Sequence, residues 1–265
     1  NLYNKRTDDI GGELHVLERF LNSEQAGWYC ACGRNLKAFC LLMNAVIEKE
    51  LGDNPDIQAK NYCPIIGFEV IRVLKASLLL ASCGHYNTGM QLLRHALESW
   101  MFAVECEYRS RKAKEKRDEV EEGKIQERFD GWISGGDRMT CIHDVADFLK
   151  NNNVFSKEFG RHVKDKYKVL CEHVHGMTAT PGASFIFNDC EGELPCGGTV
   201  VWDEGLLGQW MVHFEETIFI FIESYLCLHP GAVLLGDARE ALDLLDGSFA
   251  LDGNEGYQHI LGYID

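Results

Sequence analysis

The chain has 265 residues, 46% of them hydrophobic and 25% charged, with five prolines and a formal net charge of −15. Such usage is that of a globular protein with room for a real core, and it argues against a largely disordered chain. From Gly176 onward fifteen Asp/Glu face one basic residue, Arg239, so this third holds nearly all the net charge, which argues against a diffuse grip on nucleic acid by the protein as a whole, since that needs clustered cations.

Helical periodicity dominates the chain order. SEQAGWYCACGRNLKAFCLLMNAVIEKELGD predicts a long first helix, N-capped by Ser23 and ending at Gly52. After the polar linker DNPDIQAKNY, the stretch CPIIGFEVIRVLKASLLLASCG predicts a second, with Pro64 near its first turn and Gly84 just past its end. It is apolar nearly all round, the pattern of a central helix. TGMQLLRHALESWMFAVECEYRSRKAKEKRDEV is the third and longest, starting near Asn87 or Thr88. Its RSRKAKEKR stretch, 109–117, holds six Lys/Arg and one Glu. This is the one local site for nucleic acid, although a solvated helix end balanced by the following DEVEE is the simpler reading.

Shorter pieces follow: EEGKIQERFDGWI, a break at Gly135-Gly136, and DRMTCIHDVADFLKNN with Asp137 as candidate cap. SKEFGRHVKDKYKVLCEHVHG reads as a helix capped by Ser156 and closed by Gly176. Residues 177–202 change character, since ASFIFN and GTVVWD are β-prone runs around turn-rich DCEGELPCGG, so a hairpin or ordered flap is expected. DEGLLGQWMVHFEETIFIFIESYLCLH is a last long apolar helix. No repeat, dividing linker, βαβ pattern or phosphate-binding glycine loop is present. The expected fold is all-α: a bundle of five or six principal helices forming one domain over 1–230, with an irregular or hairpin insertion at about 177–202. An acidic extension with a short helix follows over 231–265.

No apolar run reaches the roughly 18–20 residues of a membrane span, and the opening NLYNKRTDDIGGELH is polar and unlike a secretory leader. A soluble chain without a membrane partner is therefore expected. Eleven cysteines, an odd number set mostly in apolar helical runs, point to reduced, buried thiols and a cytoplasmic location.

Two polar elements stand out. Arg94 and Glu98 are four apart on the third helix, within dense apolar surroundings that favour an inward-facing pair over an exposed one. In YKVLCEHVHG, Tyr167, Cys171 and His175 also recur every four residues, so a phenol, a thiol and an imidazole line one face while His173 points elsewhere. Each has an ordinary explanation. A helix C-terminus favours a histidine cation, cysteine packs as a small hydrophobe, and a tyrosine ring packs with its hydroxyl at the rim. Alignment with the Arg/Glu helix raises their joint significance.

No metal or other cofactor is expected. Cys30-x-Cys32 points its thiols about 200° apart on a helix, the paired Cys-x-x-Cys of zinc sites is missing, and nothing compels Cys190 and Cys196 to pair or bind metal. His173 and His175 diverge and lack an HExxH-type placement. A Cys171–His175 protease dyad lacks any oxyanion-hole signal.

Arg94-x-x-x-Glu98 followed by Tyr167-x-x-Leu170-Cys171-x-x-x-His175-Gly176 resembles a family of bacterial helical proteins of unassigned function whose usual pattern is Arg-x-x-x-Glu, then Tyr-x-x-Leu-Ser-x-x-x-His-Gly. That family looks related to the HEPN superfamily of all-helical proteins, which includes toxin and phage-defence ribonucleases. The resemblance covers roughly 64–228, and Cys171 stands where the family has serine, which questions any role needing a hydroxyl. HEPN ribonucleases show Arg-x(4–6)-His, often paired across a dimer. The one such spacing here, Arg138 to His143, lacks the polar residue usual after the arginine and ranks below Arg94 and His175.

What the resemblance implies is a cytoplasmic defence- or toxin-type protein, acting on RNA as a metal-independent ribonuclease or as its inactive relative, and a possible homodimer. Arg94 would stabilise phosphoryl charge, His175 would move a proton, Glu98 would orient Arg94, and Tyr167 would hold a phosphate oxygen or the imidazole. The alternative is a non-catalytic interaction or sensor module. Its Arg94–Glu98–Tyr167–His175 set would lock two helices in register, and its acidic C-terminal third would dock a protein partner.

Overall fold

In the computed structural model, the residues described are 16–23, 25–51, 61–136, 141–175, 203–232 and 236–245. After a short helical stretch at 16–21, eight helices follow in order: α1 (Gln25–Val46, continuing as a π-helical turn Ile47–Leu51), α2 (Tyr62–Ser82), α3 (Tyr86–Lys116), α4 (Glu119–Ile133), α5 (Ile142–Asn151), α6 (Lys157–His175), α7 (Glu204–Leu228) and α8 (Gly236–Leu245). No strand occurs among the described residues. The expected all-α bundle is what forms. The hairpin or flap expected at 177–202, with Cys190 and Cys196, lies outside the described residues, as does Asp137.

Helix ends show which local signals act. Ser156 caps α6 as expected, its Oγ accepting from the Phe159 N–H at 3.0 Å, and Asp203 caps α7 through Leu206 N–H at 2.8 Å. Gly84 sits past the end of α2 at φ +86°. Its N–H bonds Ala81 O while the His85 N–H reaches Leu80 O, the paired bonds of a glycine-terminated helix. Ser23 does not cap α1, because its hydroxyl donates back to Phe20 O at 2.7 Å. The third helix ends earlier than expected. Arg117 turns left-handed at φ 56° and Asp118 caps α4 through Glu121 N–H, so the DEV that reads as its tail starts the next helix.

The centre of the bundle is α3, which packs on α2, α4, α5, α6 and α7, and the whole run Met101–Glu107 is buried. This corrects the expectation that α2 is central. Val70, Leu74 and Ala81 of α2 face inward, but Phe68 and Leu79 are 62% and 57% exposed, since an apolar composition does not say how many neighbours a helix has. Trp100 of α3 anchors the core. Its ring lies 5.0–5.7 Å from those of Phe39, Phe221 and Tyr225, and its indole N–H donates to Ser224 Oγ at 2.8 Å. Ala238, Ala241, Leu242 and Leu245 of α8 join the same core, with α8 packed on α1.

Within α1, Tyr29–Lys49 is long and apolar enough to cross a membrane by length and composition, the one such helix among the described residues; half of it is buried in the bundle. That amends the expectation of no such run. On α1, Cys30 is exposed and Cys32 buried, the opposed placement that their spacing imposes.

Two glycines test packing against propensity. A Cβ on Gly89 of α3 would meet Trp210 Nε1 at 2.7 Å and Cδ1 at 3.1 Å, and Trp210 is fully buried. Gly123, exposed within α4, would meet nothing within 4 Å. Gly123→Ala is expected to raise stability by about 0.5–1 kcal/mol. Gly89→Ala should lower it, because overpacking costs about 1–3 kcal/mol and outweighs the same propensity gain. Thermal denaturation should show Tm shifts of opposite sign.

Candidate functional site

Helix α6 carries its buried side chains as a stripe: Phe159, Val163, Lys166 and Leu170, at steps of four, three and four. Apolar members of that stripe seat α6 on the bundle. Tyr167 and Cys171 lie to one side of it, facing α3, and His162 and His173 lie to the other.

On the first flank the Tyr167 hydroxyl donates to Glu98 Oε1 at 2.9 Å, and the Arg94 Nε–H donates to the same oxygen at 3.0 Å. The Arg94 guanidinium also lies 5.7 Å from the centre of the Tyr167 ring. Arg94 is 23% exposed and Glu98 17%, so the pair faces inward at a seam that solvent still reaches. Burial, then the bond to Glu98 and the nearby Cys171, push the Tyr167 phenol well above its ordinary value. It is therefore a neutral donor at any working pH. Burial pulls the Arg94 guanidinium down, and Glu98 more than reverses this, so it stays charged.

Four of the residues singled out in the sequence thus meet: Arg94, Glu98, Tyr167 and Cys171. His143 joins them from α5, its ring 5.8 Å from that of Tyr167 and edge-on. Arg138, its motif partner, lies outside the described residues. With Glu98 opposite Tyr167 and Arg94 beside Cys171, α3 and α6 run antiparallel here. The α6 backbone continues one turn past Cys171 to end at His175; the His175 side chain lies outside the described residues.

The second flank went unread in the sequence. Lys166, only 3% exposed, pairs with Glu216 of α7 and donates to His213 Nδ1 at 2.5 Å. The His213 ring lies 5.4 Å from that of His173. Burial draws the Lys166 ammonium down to about 8, although Glu216 pulls the other way. Burial would raise Glu216, but His213 and Lys166 hold its carboxylate at about 2. Burial lowers His162, His173 and His213 alike; His213 and Lys166 add to this at His173, while Glu216 opposes it at His162 and His213 without reversing it, so the imidazoles are neutral near pH 7. Among the described residues no group of three or more His, Cys, Asp or Glu is arranged to hold a metal ion. An ammonium occupies the middle of this cluster instead.

The basic run 109–117 is not simply solvated. Arg109 turns to Glu105 at 2.8 Å and over the Phe148 ring at 3.9 Å, and Arg111 turns to Glu107 and His229. Of the pairing expected with DEVEE, Lys114–Glu122 forms at 3.9 Å. The acidic third is partly internal as well: Glu215 and Glu223 are buried and Glu216 is paired.

Comparison with protein-family models, with characterised proteins and with solved structures gives no match to this chain, so a functional reading rests on the two flanks of α6.

Proposed function

We propose that the chain is a HEPN-like helical protein of defence or toxin type that cleaves RNA without a metal, using Arg94 and His175. One observation carries the reading. A single carboxylate oxygen of Glu98 receives both Arg94 Nε–H and Tyr167 O–H at a seam open enough for solvent. A carboxylate that fixes one edge of a guanidinium aims its other edge at a phosphoryl oxygen, and the neutral phenol, its one proton given to Glu98, holds that carboxylate in place. His175, one turn beyond Cys171, is the imidazole that moves the proton of the attacking or leaving oxygen.

Mixed-sequence RNA incubated with the purified chain in excess EDTA is the test. Cleavage by the parent and its loss in His175→Ala support the reading. A well-folded parent that cleaves nothing overturns it and leaves the network as a register lock in an interaction module, whose protein partner then becomes the target.

A further inference from the structure

Cleaving RNA requires holding a strand that carries one negative charge per phosphate, and a chain of net charge −15 repels it unless cations gather in one place. The run 109–117 reads as that place. In the fold, however, Arg109 and Arg111 turn to the buried Glu105 and Glu107, and Lys112 and Lys114 meet Glu115 and Glu122. A row that the sequence scatters forms on α6 instead. Lys157, Arg161, Lys164 and Lys168 recur at steps of four, three and four, which lines them along the side of α6 opposite its buried stripe.

The row keeps its charge. Lys157 and Arg161 are exposed and have no ion-pair partner among the described residues. Lys168 reaches Glu172 only at 3.9 Å, with both side chains more than half exposed. Asp147 of α5 holds Lys164 and Lys150 together, each at 2.6 Å, so one carboxylate faces two ammoniums. An ordinary solvated helix face mixes opposite charges at three- and four-residue spacing, and α6 separates them. Its exposed acids Glu158, Asp165 and Glu172 recur every seven residues and form a row of their own. At about 100° per residue, that acidic row lies between the cations and His162 and His173. The cations border Tyr167 and Cys171, the edge that faces Arg94 and Glu98.

We infer that this row is the phosphate track of the substrate: a single RNA strand lies along α6 with its backbone on Lys157, Arg161, Lys164 and Lys168, and passes from Lys168 to Arg94. The inference rests on the ribonuclease reading above for the identity of the polyanion. One row of cations fits one strand, and at about 16 Å of helix it holds a few nucleotides. The acidic row keeps the strand off the His162 and His173 flank. Contacts to the backbone position a strand without reading its bases, so the site grips RNA of any sequence.

The test follows the full chain in EDTA by the fluorescence anisotropy of a labelled, single-stranded 2′-O-methyl oligonucleotide of mixed sequence, which has no free 2′-hydroxyl to react, across a range of salt concentrations. Cleavage of the unmodified RNA is measured beside it. The triple variant Lys157→Gln/Arg161→Gln/Lys168→Gln should flatten the slope of log Kd against log salt by about 2, at roughly 0.7 per cation lost. Lys112→Gln/Lys114→Gln/Lys116→Gln removes the same charge from the run 109–117 and should keep the parent slope. All six side chains are exposed, so both variants should fold. If the parent cleaves RNA but the α6 variant keeps its slope, or the 109–117 variant flattens as much, the inference is overturned and the ribonuclease reading survives. A parent that binds through the α6 row yet cleaves no RNA leaves the track standing and overturns the ribonuclease reading. A folded parent that neither binds nor cleaves overturns both.

Discussion

Replacing Glu107 by alanine is expected to destabilise the protein by about 3–5 kcal/mol, the cost of breaking a buried charge network by removing one partner. Glu107 is 2% exposed and serves three elements at once. Its Oε2 accepts the Cys63 N–H in the first turn of α2 at 2.8 Å, where the Asn61 side chain makes no capping bond. Its Oε1 faces His229 Nε2 at 2.9 Å and Arg111 at 3.3 Å. Arg111 in turn donates to Leu228 O at the C-terminal end of α7. One i,i+4 pair on α3 thereby caps the start of one helix and the end of another, satisfying backbone groups that both helices leave open. Arginine can only donate, so His229 Nδ1 accepts from it and the Nε2–H turns to Glu107.

The pH dependence of this network follows. Burial alone would raise Glu107, but His229, Arg111 and the Cys63 N–H outweigh it and hold the carboxyl below its ordinary 4.5. A depressed folded value means that the stabilisation is present above the unfolded value and lost as pH falls through the folded one. Parent stability should therefore decline below roughly pH 4.5. Glu107→Gln, which still accepts from Cys63 N–H, should cost less than alanine and flatten that acid slope. Urea denaturation between pH 3 and 7 measures both; equal slopes in parent and Glu107→Gln would remove Glu107 as their source.

The fold class was legible because each long helix repeats apolar residues at helical spacing and the β-prone runs are confined to 177–202. Its polar joints were not. In FAVECEY the two glutamates read as interruptions of an apolar run, yet Glu105 and Glu107, two apart and so on opposite sides of α3, are both buried. Glu105 meets Arg109 and, from α4, Arg128 at 3.0 Å. Arg109 stands four residues on in the same helix, but only the neighbouring helices reveal Arg128 and the partners of Glu107 at Cys63 and His229. The Arg94–Glu98 and Tyr167–Cys171 alignments were legible because spacing of four survives any packing arrangement. Lys166 was not, since KDKYK reads as solvated charge until α6 is docked and one of its lysines falls on the inward stripe. His213-x-x-Glu216 with His162-x-x-x-Lys166 was the available signal, and it needs the pairing of α6 with α7 to mean anything.

The Arg94 flank separates chemistry from packing by the ratio of two effects. Arg94→Ala deletes a part-exposed i,i+4 pair, which contributes about 0.3–1 kcal/mol to stability, so its Tm should stay close to that of the parent. Its kcat/KM on RNA should fall by about 10²–10³-fold, the loss on removing a donor aimed at developing charge. His175→Ala should fall by about 10²–10⁴-fold, the range for a positioned proton carrier. Tyr167→Phe, which leaves the Arg94–Glu98 bond intact, should fall less than either. A register lock reverses the order. Truncating Arg94 or Tyr167 would then lower Tm together and non-additively, because both bind one oxygen of Glu98, and no variant would change a cleavage rate. Paired melts and rate measurements on Arg94→Ala, Tyr167→Phe and the double variant decide between them: coupling in rate with little coupling in Tm places the Glu98 oxygen in a reactive site, and the converse places it in a helix clamp.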